Sequence, residues 1–121
     1  MKLDLKELIA KLTNTPIVVD EGTSGDWHYR VWSNGYCELD GWKTVSITFT
    51  NWGNLSYQGV NLSVLPFAIG DQYSTSISAF SGTVSCWGSL MNNGSIRVYS
   101  QSGAGGPHTV TVSRHISCIK A

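Results

Sequence analysis

Three histidines, His28, His108 and His115, share this chain of 121 residues with eight Asp and Glu residues and many Ser and Thr hydroxyls, so the residue types for acid–base or nucleophilic chemistry are all present. None of the three stands in a catalytic spacing. There is no G-x-S-x-G elbow and no H-E-x-x-H pair. The Gly-rich run SGAGG at 102–106 leads into Pro107 and a strand pattern, not into a helix whose N-terminus could hold a phosphate, and reads as a flexible connection. The pairs Asp20/Glu21 and Glu38/Asp40 could imitate a glycosidase couple. Glu38 and Asp40, however, sit two residues apart on one strand, about 7 Å, on what reads as a solvated face. Cys37, Cys86 and Cys118 are odd in number, far apart and free of any C-x-x-C spacing. That predicts three reduced thiols buried as small hydrophobes, not a disulfide framework or a zinc knuckle. The expectation is a protein that is not an enzyme, with no catalytic residue, no metal ligands and no cofactor.

The five Trp, five Tyr and three Phe point to binding instead. Along 27–32 (WHYRVW), alternation puts Trp27, Tyr29 and Val31 on one face and His28, Arg30 and Trp32 on the other, which predicts a strand buried on both sides with Trp27 and Trp32 in the core. Trp52, in the Asn/Gly segment 51–56, and Tyr73, in 66–74, lie where no alternation draws them inward. Exposed rings can stack on the apolar faces of sugars while amides and carboxylates pair with hydroxyls. Trp52 and Tyr73 are therefore expected to be stacking platforms, with Asn54, Asp71 and Gln101 as hydrogen-bonding partners, all carried on loops of a rigid scaffold.

What must position them is an all-β domain. Charged residues make up 13% of the chain, about half the usual quarter, and the eight Lys and Arg balance the eight Asp and Glu. A neutral chain releases few counterions from a phosphate backbone, so neither nucleic acid nor an anionic membrane surface is an expected partner. No apolar stretch approaches the roughly 20 residues that cross a bilayer. Beyond Pro16 the hydrophobic period is two, with strands predicted at 17–20, 27–32, 36–40, 43–50, 57–65, 75–80, 83–88, 95–100 and 109–116. Asn34-Gly35 and Asn93-Gly94 predict type I′ hairpins. Val45, Ile47, Phe49, Val60, Leu62, Val64, Val110 and Val112 are the expected core, and the fold class is a jelly-roll-like β-sandwich over 17–121. Ahead of it, residues 1–16 read as a short stalk. KLDLKELIAKLT at 2–13 places Leu5, Leu8, Ile9 and Leu12 on one helical stripe, which Pro16 ends. Four apolar side chains cannot offset the ordering of a dozen residues, so the stripe needs cover, either from the domain's own sheet or from partner helices in an oligomer.

The segment GDWHYRVWSNGYCELDGW at 25–42 resembles a pattern common near the start of the C-terminal head domain of tail-fibre and tail-tip proteins from phages and prophages of Gram-positive bacteria. Gly25, Trp27, Tyr29, Arg30, Trp32, Gly35, Glu38 and Trp42 carry the match, and IVVDEGTSG at 17–25 is similar to the link from stalk to head. The resemblance implies a homotrimeric β-sandwich head, joined to other tail proteins in a virion assembled in the bacterial cytoplasm, that adsorbs to a host cell-surface saccharide. It implies no catalytic residues, and it gives the matched positions a structural role. The alternatives are a monomeric carbohydrate-binding module or lectin, a tail component without a ligand, and a small glycan hydrolase.

Overall fold

The computed structural model describes residues 5, 6, 8 and 15–121. The helix expected over 2–13 lies largely outside the described residues, as do Ile9 and Leu12 of its stripe; Leu5 and Leu8 are described and exposed. Nine strands follow: β1 (Val18–Ser24), β2 (Trp27–Trp32), β3 (Tyr36–Ile47), β4 (Thr50–Trp52), β5 (Leu55–Gly59), β6 (Ile69–Ser81), β7 (Cys86–Leu90), β8 (Ile96–Gln101) and β9 (His108–Lys120). They form a five-stranded sheet in the order β1-β2-β3-β9-β6 and a four-stranded sheet in the order β4-β5-β8-β7, with every pairing antiparallel.

The two sheets share a core of Ile47, Phe49, Val60, Val98, Val110 and Val112. The four-stranded sheet leaves part of the larger one uncovered, and there a second cluster forms from Trp27, Val31, Cys37, Leu39, Ile116 and Cys118. Its cover is the chain between β5 and β6, through Leu65 and Phe67, while Leu62 packs against both clusters. The strand expected over 57–65 therefore ends at Gly59, and the rest of it becomes this crossing segment. Alternation no longer applies along it, so Val64, expected in the core, is 88% exposed, whereas Val60 is buried.

The Gly-Asp-Trp run at 25–27 pins that segment. Asp26 N–H donates to Ser63 Oγ at 2.8 Å, Ser63 N–H donates to Asp26 Oδ2 at 2.8 Å, and the buried Trp27 indole Nε1–H donates to Ser63 O at 2.8 Å. Gly25 has φ +58°, and a Cβ there would collide with the Ser63 side chain. Several other residues of the motif have internal partners, although Trp32, expected in the core, is only half-buried and Trp42 is exposed. Tyr29 meets Phe67 edge-on at 5.5 Å, Arg30 Nε–H donates to Glu21 at 3.1 Å, and Tyr36 O–H donates to Glu38 at 2.9 Å.

The predicted break at 41–42 is absent, because Gly41 serves packing and not a turn. A Cβ there would lie 2.8 Å from the Trp27 ring, so the bare α-carbon lets the indole lie against β3, which runs on unbroken to Ile47. Both Asn-Gly hairpins form, but not as type I′ turns. Gly35 N–H donates to Trp32 O and Gly94 N–H to Met91 O, each at 2.9 Å, so each glycine is the last residue of a four-residue turn, at φ +89° or +85°. This is the three-residue loop in which a left-handed residue forms a bulge. Each asparagine sits inside its turn, and its side chain accepts as well: Asn34 Oδ1 takes the N–H of Tyr36, and Asn93 Oδ1 that of Ser95.

The expectation of three free thiols is corrected. Cys37 and Cys118 lie directly opposite on β3 and β9, with Cα atoms 5.3 Å apart, and form a disulfide; Cys86 is free. Their 81-residue separation concealed the pairing, since only the register of two distant strands brings them together. The 102–106 run is likewise not a loose connection. Phe49 N–H donates to Gly105 O at 2.9 Å, and Gly106 passes so close to Ile47 that a Cβ would stand 2.7 Å from its carbonyl.

Candidate functional site

β8 alternates strictly between two environments. Ile96, Val98 and Ser100 are buried, which turns Arg97, Tyr99 and Gln101 to the outer face of the four-stranded sheet. Register then sets Trp87 of β7 opposite Tyr99, Tyr99 opposite Tyr57 of β5, and Tyr57 opposite Thr50 of β4. One step along, Trp52 pairs with Leu55 and Leu55 with Gln101. The result is a row of rings running across all four strands, a span of about 14 Å. Trp87 stacks on Tyr99 at 6.0 Å with planes 18° apart, and Trp52 meets Tyr57 edge-on at 6.0 Å. The Arg97 guanidinium lies 4.8 Å from the Tyr57 ring centre. Trp52 is 59% exposed and Trp87 46%. Beneath the row, Ser56 and Ser100 are fully buried and satisfied: Ser56 O–H donates to Gln101 O and Ser100 O–H to Ser85 O, each at 2.6 Å. These bonds brace the platform.

Of the five predicted ligand-binding residues, three gather at the Gln101 end of β8: Trp52, Gln101 and Asn54, which sits in the β4–β5 turn after Gly53 (φ +60°). Segment 51–56 is thus a tight hairpin with Trp52 on a strand, not a loop. Asp71 and Tyr73 are elsewhere. They belong to β6, not to a loop, at an irregularity between Ile69 and Tyr73, and they line a cleft of about 760 Å³ with Asn61, Asn93, Ile96 and Arg114. That cleft opens at the Ile96 end of β8, five residues and so about 17 Å from Gln101. One site of five residues does not exist.

The rings of Tyr57, Tyr99 and Trp87 were missed because their strands were read without dividing the faces of 95–100. The signal was there: Ile96, Val98 and Ser100 against Arg97, Tyr99 and Gln101 is a plain period of two.

The histidines all have partners. His28 lies 3.4 Å from Glu21, and His108 contacts Thr83 Oγ1 at 2.8 Å and Ala104 O at 2.9 Å. His115 Nδ1 lies 2.6 Å from Asp40 Oδ1, and its Nε2 lies 3.1 Å from Ser117 Oγ. This Asp-His-Ser order imitates a nucleophile relay. Ser117 sits mid-strand on β9, which is paired on both edges, so neighbouring backbone N–H groups are committed to the ladder and offer no oxyanion donors. Glu38 and Asp40 are tied to Tyr36 and His115, not paired with each other across a substrate cleft. Among the described residues, no three His, Cys, Asp or Glu side chains gather as metal ligands, and no helix is long and apolar enough to cross a membrane. Burial pushes the Cys86 thiol up from its ordinary value.

No family model matches the chain, and no curated protein matches it. Among solved structures it is similar to a C-terminal fragment of the P. aeruginosa R1 pyocin fibre, at 9% identity and a TM-score of 0.46. The match covers 95% of this chain and 32% of that one, so the chain spans about a third of the fibre fragment's length.

Proposed function

We propose that residues 17–121 are a β-sandwich head of a phage-type tail fibre or tail tip that adsorbs to a bacterial cell-surface saccharide, and that the outer face of its four-stranded sheet is the binding platform. The observation that carries this reading is the row Trp52, Tyr57, Tyr99 and Trp87, held on paired strands with Arg97 and Gln101 beside it. Exposed rings in a contiguous patch are costly to leave in water and mark an interaction surface. A rigid flat array of rings interspersed with hydrogen-bonding groups suits sugar rings in succession. The tail-fibre part of the reading is supported by the 25–42 motif. Asp26 and Trp27 clasp Ser63 and Tyr29 packs against Phe67, the structural role the resemblance implies for them, while Arg30 and Trp42 stay exposed.

The role is binding without catalysis, and the assembly is a homotrimer on other tail proteins, its subunits gathered through the Leu5, Leu8, Ile9 and Leu12 stripe. Affinity per head is weak, because a flat, open platform covers only one face of a hydrated sugar; three heads per trimer restore avidity. The Cys37–Cys118 disulfide suits a protein that works outside the reducing cytoplasm where it is made. The test is adsorption of the trimer to intact Gram-positive cells. Trp52→Ala with Trp87→Ala abolishes it under this reading, while full adsorption by that double variant, or none by the parent protein, overturns it.

A further inference from the structure

The cleft at the other end of β8 carries a second inference, independent of the aromatic platform. Arg114 lies on β9 between Val112 and Ile116, both fully buried, so its side chain projects into the space between the two core clusters and is half-buried there. An arginine in that position normally has a carboxylate partner, since a charge withdrawn from water without one is costly. Among the described residues, no Asp or Glu stands within ion-pair distance of Arg114. Its Nε–H donates to Thr75 Oγ1 at 2.9 Å, and Thr75 O–H donates to His115 O at 2.9 Å. The guanidinium is thereby fixed at its root, and its carbon lies 6.0 Å from the Tyr73 ring centre.

Two asparagines of the cleft, Asn61 and Asn93, offer donors as well. Asn61 Oδ1 already accepts from Ile96 N–H at 3.3 Å, and Asn93 Oδ1 accepts from both the N–H and the hydroxyl of Ser95. With their oxygens engaged, both side-chain amides have their NH₂ groups left over, and neither NH₂ has a hydrogen-bond partner among the described residues. Lys43 reaches the same segment, with Nζ 3.5 Å from Asn61 O. Leu62, Ile69 and Tyr73 supply an apolar wall beside these donors. Asp71 is the one carboxylate in the lining and opposes the pattern.

We infer that this cleft is a binding site for an anionic sugar, with the Arg114 guanidinium and the Asn61 and Asn93 amides receiving its oxyanion and Tyr73 facing its ring. A planar guanidinium with free N–H groups matches a carboxylate or a phosphate equally well, so the anion is either a uronic acid's or a sugar phosphate's.

NMR titrations with glucuronate, glucose 6-phosphate and glucose separate these, followed through the Arg114 Nε–H and the backbone amides of 93–96. One or both anionic sugars are expected to shift these signals, and which one does identifies the anion; glucose at equal concentration is expected not to. Arg114→Gln should weaken the response about tenfold or more, the cost of a charged hydrogen bond. Asp71→Asn should strengthen it, which a fold defect could not do. The inference is overturned if neither anionic sugar shifts the signals, if glucose shifts them equally, or if Asp71→Asn leaves the affinity unchanged. Trp52 and Trp87 play no part in this response, so its outcome is separate from that of the cell-adsorption test.

Discussion

Trp87 and Tyr99 face one another on neighbouring strands with ring planes only 18° apart, a stacked pair on the open side of the sheet. Such pairs contribute about 0.5–1.5 kcal/mol beyond their area burial. A double-mutant cycle of Trp87→Ala and Tyr99→Ala in urea unfolding should return a coupling of that size. A coupling of zero would mean the rings do not hold each other in place.

Phe49 and Val64 were both expected in the core, and the structure separates them. Phe49→Ala should destabilise the domain by about 3–5 kcal/mol. Val64→Ala, at an exposed position, should stay within about 0.5 kcal/mol. Equal effects at the two positions would contradict the crossing segment's path.

These two residues also mark what the sequence could and could not disclose. Period-two alternation located most strands and the inward residues Ile47, Val110 and Val112, because a half-buried strand must alternate. It failed at Val64, where the chain leaves the sheet but keeps an alternating look. It failed at 41–42, where the break expected between two strands is absent and Gly41 is a packing site for Trp27. At Trp52 the sequence identified an exposed ring, since nothing local drew it inward. It could not disclose that Trp52 and Tyr73 lie at opposite ends of β8, because that depends on how β4 and β6 are placed in different sheets. The Cys37–Cys118 pair was hidden for the same reason.

The disulfide has a direct chemical readout. In denaturant without reductant the described cysteines should offer one titratable thiol, Cys86, and three after reduction. In the native state Cys86 should alkylate slowly, because burial raises its pKa and so lowers the thiolate fraction at neutral pH. Removing the cross-link by Cys37→Ser with Cys118→Ser should cost about 2–4 kcal/mol.

The half-buried clasp between Asp26 and Ser63 should matter to stability. Asp26→Ala leaves the Ser63 N–H without its acceptor and should cost about 1–3 kcal/mol in urea unfolding. Asp26→Asn keeps an acceptor oxygen and should recover most of that loss. If both variants are neutral, the 25–27 motif does not anchor the crossing segment.

The central claim is that the outer face of the four-stranded sheet binds saccharide, and the five tryptophan indole N–H signals report on it directly. Titration of the isotope-labelled protein with cell-wall polysaccharide fragments should shift the indole signals of Trp52 and Trp87, which are exposed in the aromatic row. The buried Trp27 signal should stay fixed, as should that of Trp42, exposed on the other sheet. Shifts confined to Trp42, or no indole shift at saturating polysaccharide, would contradict the account.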